Sequence, residues 1–411
     1  MKKSFKYKVI TGLTLFALLP SCSNEEEVKE LPEENIVSTI SVECVDLLGA
    51  KAVRAETESG YPGDVDPIIN NSFNENSILY ISQMGSSETT NPNFTDYSED
   101  ATSYCYRYQY YENDEANWDY NYNFKTIRDA NPIDWQVVKS LGSVGNSFSF
   151  FSFYFPVTNT VSFAVKDNQA GPDNDIYNTD NFSQSDIMGA YHSTPSLYSR
   201  MRFRLFHLMV YLKITLYVPD YQNIEYDGNY NYSGFDKDAF VGAYVLNAST
   251  GFNIEWRANR SSDTDPPLTQ PTSAKSNISM YRHPSGDDEI FELDDLKQYY
   301  PTSKIDTDKV RAYNFSVLVP GQTFNGNFLC FVFKDTENHY RYYYFNSNQL
   351  VGATGDFALT QGTLQQLYLY LPRMTNETIL IGANILPWSS GVTDMTVTKE
   401  DKETLDDNLT D

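Results

Sequence analysis

The residue types that most often carry catalysis are few in this sequence and do not stand in a catalytic spacing. The four histidines are far apart in the chain, at His192, His207, His283 and His339. No HExxH, GxSxG, CxxC or phosphate-binding glycine loop occurs. The 55 acidic residues could place two carboxylates opposite each other, as in a glycoside hydrolase. A chain this acidic brings carboxylates together by composition alone, so the sequence predicts neither an enzyme nor a cofactor.

A loop rich in Pro, Asn and Asp offers oxygen ligands of the kind that calcium prefers. It contains Asp173, Asp175 and Asp180. The glycine and the terminal glutamate of an EF-hand loop are absent from it. The spacing therefore favours a solvated loop, and we predict no metal site.

Cys22 has the most definite chemistry in the chain, because its position predicts acylation of the thiol. It follows a cationic stretch with four lysines and the apolar run 9–19, as in a secretory signal. That run is too short to span a bilayer as a mature helix. The sequence Leu18-Leu19-Pro20-Ser21-Cys22 resembles a bacterial lipobox, which predicts a mature chain that begins at a palmitate-bearing Cys22. The next residues, Ser23 to Glu27, form an acidic tether.

Charge excludes several classes of partner. Removing residues 1–21 takes away four lysines and no acid, and it lowers the formal charge from −25 to −29. Such a chain repels phosphate backbones and anionic headgroups, so we expect no nucleic acid partner and membrane attachment through the lipid anchor only. Three cysteines remain after Cys22, namely Cys44, Cys105 and Cys330, too few for a disulfide-built fold. We expect Cys105 and Cys330 to be free and buried.

Aromatic residues set the fold class. The 32 Tyr and 25 Phe suit pleated, half-buried surfaces, and polar loops separate the apolar runs. The pattern predicts an all-β protein built of β-sandwiches. The predicted strands are residues 36–45, 77–81, 104–110, 147–155, 160–165, 202–218, 240–246, 252–256, 312–319, 327–334, 341–345, 364–371 and 378–386, and a short helix is predicted near 294–299.

Length and loop composition predict two domains after the leader. The predicted divisions are a signal peptide 1–21, a tether 22–35, an N-terminal sandwich 36–218, a connection 219–237, a C-terminal sandwich 238–391 and an acidic tail or donor strand 392–411. Within the first sandwich, 36–45 is a leading strand and 50–66 is an exposed loop with glycines and prolines.

An aromatic cluster at residues 104–122 contains Trp118 and Tyr120. Rings of this kind stack on sugars at a binding face, and they equally fill a strand core with an aromatic edge. The cluster supports an alternative function for the chain as a surface glycan-binding lipoprotein. A glycoside hydrolase, which the many carboxylates would allow, is a third and weaker alternative.

Several sequence blocks together resemble the fimbrillin family, the pilins and accessory subunits of type V pili. The blocks are Phe153-Tyr154-Phe155-Pro156 downstream of Trp135, Ser185-Asp186-Ile187-Met188-Gly189-Ala190, Phe206-His207 within 203–216, Leu359-Thr360-Gln361-Gly362, the run 367–371, and Ile385-Leu386-Pro387-Trp388 before Gly391. The blocks occur in the order of the family and cover most of residues 36–391.

The resemblance implies two transthyretin-like β-sandwich domains in tandem, export as a lipoprotein to the outer membrane and cell surface, and a place in a fimbrium. It implies cleavage by an arginine-specific protease, which maps to the bond between Arg54 and Ala55, with Lys51 a weaker match. Cleavage would release the strand 36–45, and other pilin subunits would then join by donor-strand exchange. A host or bacterial surface glycan or protein is a further implied partner.

The C-terminal tail is the candidate donor strand. It carries Met395 and Val397 as apolar anchors and turns acidic from Glu400. So few anchors make a poor donor, which leaves open a stalk, tip, accessory or anchor role.

Overall fold

Strands dominate the computed structural model, which confirms the all-β prediction. It describes residues 39–43, 77–83, 105–110, 121–126, 139, 147–155, 163–170, 180–195, 202–219, 239–255, 266–284, 290–292, 309–334, 338–351, 356–371 and 377–388. In these ranges no helix is long and apolar enough to cross a membrane. Two short helices lie in the same ranges, α1 (Asp180–Ser183) and α2 (Asn348–Val351).

In the first sheet, the two outermost strands belong to one continuous segment of the chain. Its strands are β1 (Thr39–Glu43), β2 (Ile78–Gln83), β3 (Cys105–Tyr110), β4 (Asn121–Thr126), β5 (Phe148–Phe155), β6 (Met188–Thr194), β7 (Arg202–Arg204) and β8 (Phe206–His207). Their order is β7-β1-β4-β3-β2-β5-β6-β8. Because β7 and β8 are consecutive in sequence, the two ends of this order meet at residues 202–207.

The aromatic strand β5 lies inside this sheet and is buried on both faces. Six consecutive residues from Phe150 to Phe155 are buried. The phenylalanines stand at positions 148 and 150 and then at 151, 153 and 155, so their alternation changes phase after Phe150. The register with β2 and β6 continues without a shift, so this change of phase is not a bulge. On one face Phe151 contacts Tyr191 at 4.2 Å between centroids and Phe153 contacts Phe163 at 5.2 Å. On the other face Phe150 and Tyr154 are also buried. Double-sided burial therefore explains the run of phenylalanines.

Two further sheets face each other across an aromatic core that is continuous with the core of the first sheet. The larger contains β9 (Met209–Pro219), β14 (Tyr281–Arg282), β15 (Ile290–Glu292), β16 (Lys309–Pro320), β21 (Thr363–Tyr370) and β22 (Ile379–Pro387), in the order β14-β16-β9-β21-β22, with β15 also on β16. The smaller contains β10 (Phe240–Ser249), β13 (Lys275–Ser279), β18 (Asn327–Lys334) and β19 (Tyr340–Asn346), in the order β13-β10-β18-β19. Two strand pairs accompany them, β11 (Phe252–Glu255) with β12 (Leu268–Pro271) and β17 (Gln322–Phe324) with β20 (Phe357–Leu359).

Phenylalanines from both sheets meet in this core. Phe315 of β16 lies 5.2 Å from Phe240 and 5.6 Å from Phe331, measured between ring centroids. The Arg282 guanidinium lies 4.7 Å from the Phe240 ring and 4.8 Å from the Tyr313 ring. Such a cation–π contact places a buried charge against aromatic faces. The two sheets therefore form a β-sandwich with a continuous aromatic interior.

The segment 202–219 changes sheets along its length. Residues 202–218 were predicted as one strand, and they are extended as predicted, but the segment divides into β7, β8 and β9. β9 pairs with β16 and β21, so it joins the predicted N-terminal block to the sheet formed by the predicted C-terminal block. All described residues fall within one compact unit, Val37–Asp411. The tandem domain limits remain a prediction.

One predicted strand is wrong over the part that the structure describes. Residues 160–165 were expected to form a strand, but Ala164 makes only an isolated bridge to Gly251. The backbone there is held by the Val165 N–H, which donates to the Thr250 carbonyl, and by the Phe252 N–H, which donates to the Phe163 carbonyl. The predicted helix near 294–299 lies outside the described residues.

Candidate assembly site

The strand β1 lies inside the first sheet with a partner on each edge. It runs antiparallel to β4, from the pair Thr39↔Lys125 to the pair Glu43↔Asn121. On the other edge it runs parallel to β7, from Ser41↔Arg202 to Glu43↔Arg204. β1 falls within the predicted leading strand 36–45, and the structure therefore confirms a strand there.

Loss of β1 would open this sheet. The strands β4 and β7 would each lose the ladder that β1 provides, and their backbone N–H and C=O groups would be left unpaired. Unpaired edges of this kind bind an extended strand from another chain. The space that β1 occupies between β4 and β7 is called the slot below, and it has the length of a five-residue strand.

Three of the sequence blocks that resemble the fimbrillins converge in space. Asp186, His207 and Trp388 form a buried cluster, with His207 and Asp186 each 1% exposed at the side chain. The His207 Nδ1–H donates to Asp186 Oδ1 at 2.7 Å, because a carboxylate only accepts. The Trp388 indole stacks on the His207 ring at 3.7 Å between centroids and 11° between planes.

Backbone hydrogen bonds fix each member of this Asp186–His207–Trp388 cluster. The Leu208 N–H donates to the Ile187 carbonyl at 3.0 Å, which holds the Asp186 turn against β8. The Trp388 N–H donates to the Gly362 carbonyl at 2.8 Å, and the Gly362 N–H donates to the Met209 carbonyl at 2.9 Å. Gly362 has φ of 69°, a conformation that favours glycine. These hydrogen bonds hold Trp388, the residue after β22, against the segment that carries β7 and β8.

The cluster also places the start of the tail. Trp388 is 2% exposed and is the last residue that the structure describes. Residues 392–411, the predicted donor segment, therefore follow a point anchored on His207. His207 is separated from β7 only by Leu205 and Phe206, so Trp388, at the root of the tail, contacts the same segment that forms one flank of the slot.

The predicted site residues Cys22, Arg54, Ala55, Trp118 and Tyr120 lie outside the described residues, and their roles stay predictions.

The three aspartates that were considered as calcium ligands are only partly covered by the structure. Asp180 begins α1, whereas Asp173 and Asp175 lie outside the described residues. No group of three or more His, Cys, Asp or Glu that could hold a metal ion occurs in the described ranges.

Cys330 is free and 4% exposed, as predicted. Burial raises the pKa of its thiol to about 11.

One surface was not predicted from the sequence. The outer face of β10, β18 and β19 carries tyrosines, of which Tyr340 is 52% exposed and Tyr342 is 47% exposed. The sequence Tyr-Arg-Tyr-Tyr-Tyr-Phe at residues 340–345 does place Tyr340, Tyr342 and Tyr344 at alternate positions, and therefore on one face of a strand. Which side of the strand faces solvent depends on pairing, which the local pattern does not contain.

Comparisons with known proteins give structural similarity without sequence similarity. No protein-family model and no curated protein matches the chain. A proposed cell adhesion protein from Bacteroides uniformis is 11% identical, with a TM-score of 0.44, and the match covers 87% of this chain and 100% of that one. The tip fimbrial protein Mfa3 from Porphyromonas gingivalis is 9% identical, with a TM-score of 0.31 and coverage of 85% and 100%. A fimbrial protein from Bacteroides vulgatus is 11% identical, with a TM-score of 0.33 and coverage of 86% and 100%.

These three solved structures are described as cell adhesion or fimbrial proteins. At these identities and TM-scores the similarity assigns no function to this chain. Function is argued from its own residues.

Proposed function

We propose that this protein is a structural or adhesive subunit of a cell-surface pilus, exported as a lipoprotein and assembled by protease-triggered strand exchange. The observation that carries the proposal is the position of β1 between β4 and β7. A first strand paired on both edges is the element whose removal turns a closed sheet into an acceptor for another chain.

The proposed sequence of events begins at the membrane. Cys22 is acylated, the lipid holds the precursor at the outer membrane, and an arginine-specific protease then cuts after Arg54. The released fragment includes Cys22 and β1, so a single cut frees the protein from its anchor and vacates the slot. Coupling these two events prevents a subunit from exposing an open edge before it leaves the anchor.

A strand from a neighbouring subunit then fills the slot. It would pair antiparallel with β4 over the length that Thr39–Glu43 occupies and parallel with β7 beside Ser41–Glu43. The inserted strand restores ladders on two edges at once, and it leaves only when both open. Such a joint dissociates slowly, because its release requires unfolding of part of the sheet.

The predicted donor is the tail, residues 392–411. Its two apolar anchors, Met395 and Val397, are fewer than a long buried strand needs, and the acidic residues from Glu400 are costly to bury. We therefore place the protein at a terminal or accessory position, where a subunit accepts a strand but donates weakly.

The test compares cleavage-site variants in cells that assemble the pilus. Arg54→Ala and Arg54→Lys should both leave the chain uncut and monomeric, because an arginine-specific protease does not cut after lysine. Lys51→Ala is the matched control and should be cut normally. Unheated gels of the wild type and of Lys51→Ala should show a detergent-resistant ladder, and N-terminal sequencing of sheared protein should begin at Ala55.

Two results would contradict the proposal. A ladder in Arg54→Ala would show that cleavage at this bond is not the trigger. Surface protein that begins at Cys22 and stays monomeric in the wild type would remove strand exchange altogether. Deletion of residues 389–411 separates the two halves of the mechanism, because it should leave cleavage intact and abolish only joints in which this chain is the donor.

A further inference from the structure

The sheet formed by β13, β10, β18 and β19 has two chemically different faces. Phenylalanines of β18 and β19 point into the core, and Phe331, Phe333 and Phe345 are all fully buried. The register places alternate residues on the opposite face. One row is Tyr244, Cys330 and Tyr344, and further rows are Val332 with Tyr342 and Lys334 with Tyr340. These residues define the tyrosine face.

Rings on the tyrosine face are presented to solvent along the edge strand β19. Tyr340 and Tyr342 are 52% and 47% exposed, and alternate residues of a strand stand about 6.6 Å apart. The Lys334 ammonium lies 5.3 Å from the centroid of the Tyr340 ring. Burial, followed by the charges of Cys330 and Tyr342, raises the pKa of Tyr344, so its hydroxyl stays a hydrogen-bond donor.

A glycine allows Tyr244 to lie along the sheet surface. A Cβ on Gly242 would stand 2.7 Å from the Tyr244 hydroxyl oxygen and 3.0 Å from its Cζ. The ring therefore extends back over its own strand, where only a glycine leaves room. With Val241, Leu246 and Asn277, the tyrosine face lines a shallow depression of about 470 Å³.

A polar pocket of about 290 Å³ adjoins this depression and shares Leu246 with it. Its remaining lining residues are Asn247, Lys275, Thr323, Phe324, Asn325, Asn327 and Asp356. The Asn325 amide donates to Asp356 Oδ1 at 2.8 Å, and the Asn247 N–H donates to Asn277 Oδ1 at 3.0 Å. Amide and hydroxyl groups, which donate and accept hydrogen bonds, and a carboxylate, which accepts them, thus lie beside an aromatic surface.

This combination fits the chemistry of a pyranose. The C–H face of a sugar ring stacks on tyrosine, and its hydroxyl groups hydrogen-bond to side-chain amides. Net charge separates this ligand from other occupants. At a formal charge of −25, an anionic polymer is repelled on approach, whereas an uncharged glycan is not.

We propose that the tyrosine face and the adjoining polar pocket bind an uncharged oligosaccharide, with Tyr340 and Tyr342 as the stacking platform. The strands that carry this site do not pair with β1. Glycan binding and strand exchange therefore fail or succeed independently of each other.

The test measures binding of purified full-length chain to uncharged hexasaccharides of glucose, mannose, galactose, xylose and N-acetylglucosamine by isothermal titration. Tyr342→Ala should weaken binding of the preferred hexasaccharide about tenfold, because it removes one stacking ring. Tyr342→Phe keeps the ring and should stay within about threefold of the wild type. Ile385→Ala is the matched control, since Ile385 is an exposed apolar residue of β22, 62% exposed, and should leave affinity unchanged.

Far-UV circular dichroism of each variant confirms that the sheets are retained. Failure of the wild type to bind any hexasaccharide of the panel overturns the proposal, as does equal affinity in Tyr342→Ala. Preferential binding of polygalacturonate over the uncharged sugars would overturn the assignment of ligand class. Concentration-dependent self-association that Tyr342→Ala abolishes would overturn it in favour of a protein interface.

Discussion

Truncation of Trp388 tests whether the Asp186–His207–Trp388 cluster holds the chain end against β8. The indole is 2% exposed, stacks on His207 at 3.7 Å and meets Tyr211 edge-on at 5.4 Å. Its replacement by alanine removes a large buried ring and leaves a cavity, so the free energy of unfolding should fall by about 3–5 kcal/mol. Trp388→Phe keeps most of the apolar contact and should cost less than about 1.5 kcal/mol.

A double-mutant cycle then tests the geometry itself. Asp186→Ala leaves the His207 Nδ1–H without its acceptor and should cost about 1–3 kcal/mol. Since Asp186 and Trp388 both act through the His207 ring, their combined effect should depart from additivity by at least about 0.5 kcal/mol. Tyr342 lies on the outer face of the sheet β13-β10-β18-β19, so Tyr342→Ala is the control. Its effect on the free energy of unfolding should add to that of Trp388→Ala within about 0.5 kcal/mol.

The assay is equilibrium urea unfolding followed by far-UV circular dichroism, which does not depend on the removed tryptophan. A loss below about 1 kcal/mol in Trp388→Ala would mean that the contact contributes little to stability. Additive effects of Asp186→Ala and Trp388→Ala would mean that His207 does not couple them. Either result refutes the reasoning from the stacked geometry.

Two cysteines give further expectations. Cys22→Ala should abolish acyl labelling and membrane retention of the precursor, and unchanged labelling would remove the lipoprotein assignment. In the native protein at pH 8, the Cys330 peptide should be alkylated about 100-fold more slowly than an exposed cysteine, because burial raises its pKa from 9.0 to about 11 and suppresses the thiolate. Because the folded protein keeps this thiol protonated to a higher pH than the unfolded chain does, the free energy of unfolding is unaffected below pH 9.0 and falls as the pH rises from 9.0 to about 11. Cys330→Ala should therefore reduce the alkaline loss of stability measured by urea titration.

Sequence patterns predicted the strands whose own residues determine their burial. The predicted strand 327–334 and the observed β18 share the same limits, because its alternation of Phe with Cys and Val matches a strand with one face on a core. β5 was predicted for a related reason. Its phenylalanines leave few arrangements other than burial on both faces.

Strands that depend on distant partners were missed or misjudged. β4 has the polar sequence NYNFKT, and β6 has the sequence MGAYHST, yet each pairs with neighbours on both sides. The pattern at 202–219 indicated one strand, but the chain changes partners at Leu205 and Leu208, which are both fully buried. Pairing and sheet exchange are tertiary properties, and local alternation does not contain them.

The candidate sites show the same division. The blocks around Asp186, His207 and Trp388 were recognised separately, but nothing in their spacing predicts that a carboxylate, an imidazole and an indole stack in one cluster. Tyr342 pairs with Val332 of β18, and the adjacent residue Phe331 points into the core. Val332 and Tyr342 therefore point outward, which only the register between the two strands determines. A sequence gives the residue types of a site before it gives their side of the sheet.

The segment 202–207 links the two parts of the proposed assembly mechanism. At one end β7 pairs with β1, and at the other end β8 pairs with β6 and carries His207 against Trp388. Leu205 joins them and is fully buried, so the segment is fixed by packing as well as by its ladders. Under the proposed strand exchange, release of β1 removes the strand partner of β7 but leaves β8 and the cluster in place. One wall of the vacated slot therefore stays anchored to the root of the tail, and this anchoring keeps the acceptor edge aligned for an incoming strand.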